Sequence, residues 1–264
     1  MNTKIANNPI ISSMMLFAAF YLLYRISVFS IHYVVMWDFY WYDHTRYILV
    51  RAALRLVISI PAIAAFTVII QKNGFKFAFR IEGYKKGLLA IIPVFVFILI
   101  RFLYILNINE YNASPFFSIQ FISFRILFEF ATGIFEEILF RGILLTPILY
   151  HWGESVKGRL IVIFIVSILF GLAHYSGGVD HIIFATWMGI SYAAAYMYSK
   201  NFFCVIVYHM LWNIAYMTPL GVIVVISVHS EVFYIILNYV YGILEVSMLA
   251  YAIILIIKSK QFVV

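Results

Sequence analysis

Long apolar runs follow one another along almost the whole chain, separated by short polar segments. Hydrophobic residues make up 65% of the 264 residues and charged residues only 11%, which excludes an ordinary soluble domain. A bilayer core takes about 20 apolar residues per helix, and a helix satisfies its own backbone groups in lipid. The sequence therefore predicts an all-α polytopic membrane protein with about eight transmembrane helices, in a single integral membrane domain over residues 1–264. The predicted spans are 10–36, 47–70, 88–106, 118–150, 160–175, 181–199, 202–226 and 232–257.

The basic residues between these runs predict the orientation of the spans. Lysine or arginine precedes the first span and follows every second span, whereas segments 107–115, 176–180 and 227–231 contain neither. Because cytoplasmic loops carry the excess of basic residues, both termini are predicted to be cytoplasmic. The net charge of +7 then reflects topology, so we predict the lipid bilayer as a partner and no nucleic acid.

Composition also bears on redox chemistry and on location. The single cysteine, Cys204, excludes an internal disulfide and any metal site built from several cysteines. Richness in Ile, Phe, Tyr, Lys and Asn is typical of AT-rich bacterial genomes. We therefore predict an integral membrane protein of a bacterial cell membrane.

The segment "FEEILFRGIL" (135–144) places three charges inside an apolar run. A charge at the bilayer centre costs about 2.5–3.5 kcal/mol on insertion scales, so it is retained where it is paired or used. Glu137 and Arg141 are four residues apart, as are Arg125 and Glu129, and both spacings favour an ion pair on one helix face. Glu136 points about 100° away from Glu137 and has no such local partner.

Polar residues on later runs are predicted to reach the depth of Glu136. At about 1.5 Å per residue, Glu136 and His174 lie roughly 21 Å from the cytoplasmic face, and His209 and Asn213 lie roughly 12 and 18 Å from it. His209 and Asn213 share one helix face because they are four residues apart. One layer of the bundle can therefore hold all four residues, provided that the fourth span runs over about 124–150.

Three motifs in this order resemble a known family. "EEILFR" (136–141) has the form E-E-x-x-x-R, "FGLAH" (170–174) the form F-x-x-x-H, and "HMLWN" (209–213) the form H-x-x-x-N. Together, in a chain of about eight spans, they resemble the CPBP family of CAAX proteases and bacteriocin-processing enzymes, also called the Abi family. Glu137 and Arg141 match the supporting pair of the first motif.

The resemblance implies an intramembrane endopeptidase with a polar cavity open to the cytoplasm. The family-like catalytic core covers about residues 120–220. By the resemblance, Glu136 and His174 activate a water molecule, while His209 and Asn213 stabilise the oxyanion. The chemistry is coherent on its own terms, because a carboxylate can take and return a proton, and an imidazole and an amide can donate to an oxyanion. The predicted substrate is a hydrophobic or membrane-anchored peptide or protein.

A zinc mechanism is the alternative for the same residues. Glu136, His174 and His209 could supply the three protein ligands of a catalytic zinc site, with water in the open position. The chain has no H-E-x-x-H motif, so the metal-free glutamate mechanism is favoured and no cofactor is predicted, with zinc as the exception to test.

Two other classes of function remain open at this point. A non-catalytic membrane partner in bacteriocin immunity or regulation would need only to bind a peptide or another membrane protein. A small transporter would also carry charges within the membrane, although transporters more often have inverted repeats and broken helices, which are not detected in this sequence. The sequence makes no prediction about the oligomeric state.

Overall fold

The computed structural model describes residues 8–30, 44–72, 83–106, 119–217 and 231–259. Within these residues the regular structure is helical and contains no strand, so the all-α prediction is confirmed for this part of the chain. Residues 1–7 and 260–264 lie outside the described residues. The cytoplasmic placement of both termini and the single-domain organisation stay predictions.

Each predicted run contains one principal helix, and the fourth contains a longer helical rod. Its three parts are α4, a π-helical segment and α5, which follow one another without a break from residue 119 to residue 152. The helices are α1 Pro9–Ser30, α2 His44–Lys72, α3 Tyr84–Leu106, α4 Ile119–Glu137, the π segment Ile138–Leu145, α5 Thr146–Trp152, α6 Val156–Leu172, α7 Gly178–Ser199, α8 Phe202–Met217 and α9 Glu231–Lys258.

Two of the described helical stretches, Pro9–Ser30 and Ile48–Val68, are long and apolar enough to cross a bilayer. A third crossing results if α6 and residues 175–199, which meet at 60°, form one broken span. Two other helices fall short for physical reasons: the described part of α8 has only 16 residues, and α4 carries four charged side chains. The count of about eight crossings therefore stays a prediction.

Local signals set the ends of the helices around the centre of the bundle. The Ser155 hydroxyl accepts from the backbone N–H of Gly158 at 2.9 Å and caps the start of α6. Lys200, at φ 53°, adopts the left-handed conformation that ends α7. Because only two residues separate α7 from α8, these helices return side by side.

Helix α7 lies in the middle of the bundle, packed against α3, α6, α8 and α9. Small residues make the close packing possible: a Cβ atom at Gly189 would lie 3.0 Å from the Cβ of Ser167 on α6. Helix α4 lies between α2 and α8, where a Cβ at Gly133 would lie 3.1 Å from the carbonyl oxygen of Ile206. These close approaches bring α4, α6 and α8 around one polar layer.

The π segment is the main departure from the straight α-helix expected for the fourth run. The Thr146 backbone N–H donates to the carbonyl oxygen of Arg141, five residues back, and the Thr146 hydroxyl donates to the same oxygen at 2.7 Å. All eight residues of the segment are buried. Wide turns of this kind are rare and occur often at functional sites, and this one begins directly after Glu136 and Glu137.

Candidate active site

The ion pair that the spacing of Glu137 and Arg141 predicts is present at 3.2 Å and is buried, with the two side chains 0% and 1% exposed. Arg141 also donates to the carbonyl oxygen of Gly189 on α7 at 2.8 Å. The rings of Phe170 and Tyr192 lie beside its guanidinium, at 4.7 and 5.3 Å. A buried pair needs such additional partners, because Coulomb attraction alone does not offset the loss of hydration.

His209 on α8 is held by the same carboxylate. Its Nδ1 lies 2.7 Å from Glu137 Oε1, and its ring stacks on Tyr192 with centroids 4.6 Å apart. Since Glu137 is paired with Arg141 as a carboxylate, it accepts and His209 Nδ1 donates. The other ring nitrogen, Nε2, therefore faces Glu136. This link between α4 and α8 was not predicted from the sequence.

Glu136 lies between two histidines. Nε2 of His174 and Nε2 of His209 are each 3.7 Å from Glu136 Oε2, beyond the range of a direct hydrogen bond. His174 Nδ1 lies 2.8 Å from the carbonyl oxygen of Phe170, which can only accept, so this nitrogen carries the proton. Both Nε2 atoms consequently carry a lone pair when the rings are neutral. Glu136 Oε2 is buried and accepts no hydrogen bond from any described residue.

Asn213 reaches the same layer through a second carboxylate. Its side-chain Nδ2 donates to Glu129 Oε2 at 2.9 Å, and Glu129 Oε1 pairs with Arg125 at 2.7 Å. The Arg125–Glu129 pair expected from the spacing is thus present. Each Glu–Arg pair of the rod holds one polar residue of α8: Glu137 holds His209 and Glu129 holds Asn213.

These side chains line one cavity of about 340 Å³. Several aromatic side chains form part of its walls, with Phe128, Phe135, Phe140, Phe184 and Trp212 among them. His181 at the start of α7 also lines it, with its ring 5.5 Å from that of His174. His181 is not among the predicted site residues, because nothing in the spacing of 174 and 181 indicates that the turn folds the two rings together.

The position of the cavity bears on two predictions about orientation, namely the cytoplasmic termini and the cavity open to the cytoplasm. It is lined by Arg25 late in α1, Arg51 early in α2, Arg125 early in α4, and Ser176 between α6 and α7. All of these lie at one end of the bundle, which the basic loops predict to be the outer end. With cytoplasmic termini, these residues place the cavity toward the outer side, whereas the resemblance implies a cavity open to the cytoplasm.

A zinc site in this layer fits in its chemistry but not in its spacing. The Nδ1 atoms of His174 and His209 have a backbone carbonyl and a carboxylate as partners, as zinc-binding histidines often do. Within the described ranges, however, no group of three or more His, Cys, Asp or Glu side chains is arranged to hold a metal ion. We therefore derive no chemical step through a metal.

One comparison with known proteins identifies this region. Residues 118–215 match the family model described as "Rce1-like: Type II CAAX prenyl endopeptidase Rce1-like". No curated protein and no solved structure matches the chain. The matched segment covers well under half of the 264 residues, but it contains the π segment, both Glu–Arg pairs, both histidines next to Glu136, and Asn213. Residues 118–215 are thus similar to the Rce1-like type II CAAX prenyl endopeptidases, which confirms the resemblance to the CPBP intramembrane proteases that the three motifs predicted.

Proposed function

We propose that the protein is an intramembrane endopeptidase that hydrolyses a peptide bond in a hydrophobic or membrane-anchored peptide, with Glu136 as the general base. The observation that carries the proposal is the Glu136 carboxylate, whose buried Oε2 lies 3.7 Å from each of two imidazole nitrogens that face it. The family match of residues 118–215 supports a protease of this class. The residue roles and the mechanism are our proposal.

The first step is attack by water on the scissile carbonyl carbon. A water molecule lying between Glu136 Oε2 and His174 Nε2 gives its proton to the carboxylate while its oxygen forms the new bond to carbon. The carbonyl oxygen becomes an oxyanion. Glu136 then returns the proton to the amide nitrogen as the carbon–nitrogen bond breaks, which leaves a carboxyl product and an amine product.

His209 and Asn213 stabilise the oxyanion. Asn213 Nδ2 carries two hydrogens, of which one is engaged by Glu129 and the other remains to donate. His209 donates from Nε2 when it is doubly protonated, because Nδ1 already donates to Glu137. Donors held in place before the reaction stabilise developing charge without reorganisation, which is the contribution expected from the two Glu–Arg pairs behind them.

The test compares wild type with Glu136→Gln, purified in detergent and incubated with fluorogenic hydrophobic peptides. We expect the cleavage rate of the variant to fall about 10²–10⁴-fold, which is the range that general-base catalysis contributes. Its thermal unfolding temperature should not change. Tyr150→Phe, at an exposed site outside the cavity, serves as the control and should keep full activity.

A chelator separates the two mechanisms. Cleavage that persists in EDTA and disappears in Glu136→Gln supports the glutamate mechanism. Loss in EDTA with recovery on adding zinc would replace it with the metal mechanism at the same residues. Cleavage that survives in Glu136→Gln would overturn the assignment of the base, and a wild type inactive toward every peptide would favour a non-catalytic membrane partner.

A further inference from the structure

Three arginine side chains surround one aromatic ring at the wall of the cavity. The guanidinium carbons of Arg55, Arg125 and Arg51 lie 4.5, 5.6 and 5.7 Å from the centroid of Phe128. Two of these arginines come from α2 and one from α4, and all three line the cavity that contains Glu136. We call Arg51, Arg55 and Arg125 the arginine wall.

Arg55 is the member whose surroundings most need an anion. Arg55 is buried, with only 6% of the residue exposed. It donates to the Thr132 hydroxyl at 2.7 Å and lies over the rings of Phe128 and Tyr24. No described carboxylate comes within ion-pair distance of Arg55, whereas Arg125 is paired with Glu129. Of the described acidic residues, Glu129 and Glu136 line the same cavity, and neither is within ion-pair distance of Arg55, although Arg55 acts on Glu136 electrostatically over a longer distance.

Such an arrangement is costly without a ligand. A buried cation loses hydration, and neither a hydroxyl partner nor an aromatic face provides an opposite charge. Positive charges gathered around one ring also repel each other. A guanidinium in an apolar wall matches a carboxylate especially well, because its planar N–H fork can donate two parallel hydrogen bonds to the two oxygens.

We propose that the arginine wall binds a carboxylate group of the peptide substrate, with Arg55 as the main contact; this inference rests on the proposed peptidase function. Because the wall and Glu136 share one cavity, a bound carboxylate holds the chain at a set distance from the general base. The site then selects which peptide bond is cut by its distance from an anionic group. Arg51 and Arg55 lie outside residues 118–215, so this contact is supplied by a part of the chain that the family match does not cover.

A carboxylate can come from the C-terminus of the peptide or from an Asp or Glu side chain. Three versions of one cleaved peptide distinguish these sources: the free acid, the C-terminal amide, and the free acid with each Asp or Glu replaced by Asn or Gln. We expect wild type to prefer the version that keeps the recognised carboxylate by about 10- to 100-fold in kcat/KM, the range for a hydrogen bond to a charged group.

Variants of Arg55 test whether this residue binds the carboxylate of the peptide. In Arg55→Gln the preference should fall to about onefold, and Arg55→Lys should retain part of it, because lysine keeps the charge but lacks the fork. The ratio of two peptides cancels any effect of Arg55 on Glu136, since both peptides use the same base. Lys157→Gln removes one positive charge at an exposed position outside the cavity and should keep the wild-type preference.

Binding to the inactive Glu136→Gln protein separates this inference from the proposed function. Stabilisation of its thermal unfolding by the carboxylate peptide, lost when Arg55→Gln is added, supports the carboxylate site even if no cleavage is found. Equal binding and cleavage of all three peptides by proteins with Arg55 intact overturns it. So does a preference that survives in Arg55→Gln, or stabilisation by phosphatidylglycerol vesicles alone, which would assign the wall to a lipid phosphate.

Discussion

The two Glu–Arg pairs of the helical rod have the same spacing and different surroundings. Glu137–Arg141 lies in the interior, both side chains at most 1% exposed, with Arg141 tied to the backbone of α7. In Arg125–Glu129 the carboxylate is buried but the arginine is 17% exposed and lies among other guanidinium groups. Each carboxylate holds one residue of α8, so the pairs act alike toward the proposed oxyanion donors and differ in their other contacts.

The i, i+4 spacing alone therefore predicts that an ion pair forms but not which role the pair has in the structure. Arg141 joins Glu137 of α4 to the backbone of α7, and among the described residues no second arginine or lysine is in ion-pair contact with Glu137. Around Glu129, by contrast, Arg51 and Arg55 supply further positive charge near the same ring. The inner pair is therefore expected to support folding and catalysis together, and the outer pair mainly the binding end of the cavity.

The largest expected effect comes from breaking the inner pair. Arg141→Gln leaves Glu137 buried without its counter-ion, and we expect it to lower the free energy of unfolding by about 3–5 kcal/mol, as for other buried pairs that lose one partner. The matched change, Arg125→Gln, should cost less than about half as much because neighbouring arginines remain.

Thermal unfolding of the two purified variants in detergent measures this difference. Unfolding of both variants at the same temperature, or lower stability of Arg125→Gln, would contradict the expected difference between the two pairs. Lys157→Gln controls for the loss of a positive charge as such.

A smaller effect on stability but a clear one on catalysis is expected at the α8 residue held by the outer pair. Asn213→Ala removes one oxyanion donor and should lower kcat about 10²–10³-fold with little change in KM. Glu129→Gln keeps an acceptor oxygen for Asn213 and should lower kcat less. Steady-state kinetics on one cleaved peptide gives both constants; a kcat for Asn213→Ala equal to that of wild type would remove Asn213 from the mechanism.

The last prediction concerns which side of the membrane the outer pair faces. In a Cys204→Ser background, Ser176→Cys lies at the cavity end of the bundle and Lys157→Cys at the other end; both positions are exposed. From the basic loops we expect a membrane-impermeant maleimide to label Ser176→Cys on intact cells, and Lys157→Cys only after permeabilisation. The reverse pattern would show that the cavity opens to the cytoplasm and that the termini lie outside.

Much of the helix arrangement was predictable because apolar runs in lipid have few alternatives to helices. The fourth run shows the limit: its length was expected, but the π segment was not. At its end Thr146 bonds to the Arg141 carbonyl oxygen of the same rod, and its hydroxyl also bonds to Tyr196 on α7. Arg55 shows another limit. Its charge within an apolar run was visible as a signal, yet only the fold shows that it faces the same cavity as Glu136.

The sequence alone was enough to predict the helical class, the two i, i+4 pairs, and the three motifs within the family-matched residues 118–215. These features depend on local spacing and on the cost of burying polar groups. Only the tertiary structure shows that Glu137 is hydrogen-bonded to His209 and Glu129 to Asn213. It also shows that three arginines line one cavity with the proposed base. The two hydrogen bonds join residues 72 and 84 positions apart, and their formation depends on how closely the small residues of α4 and α7 let neighbouring helices approach.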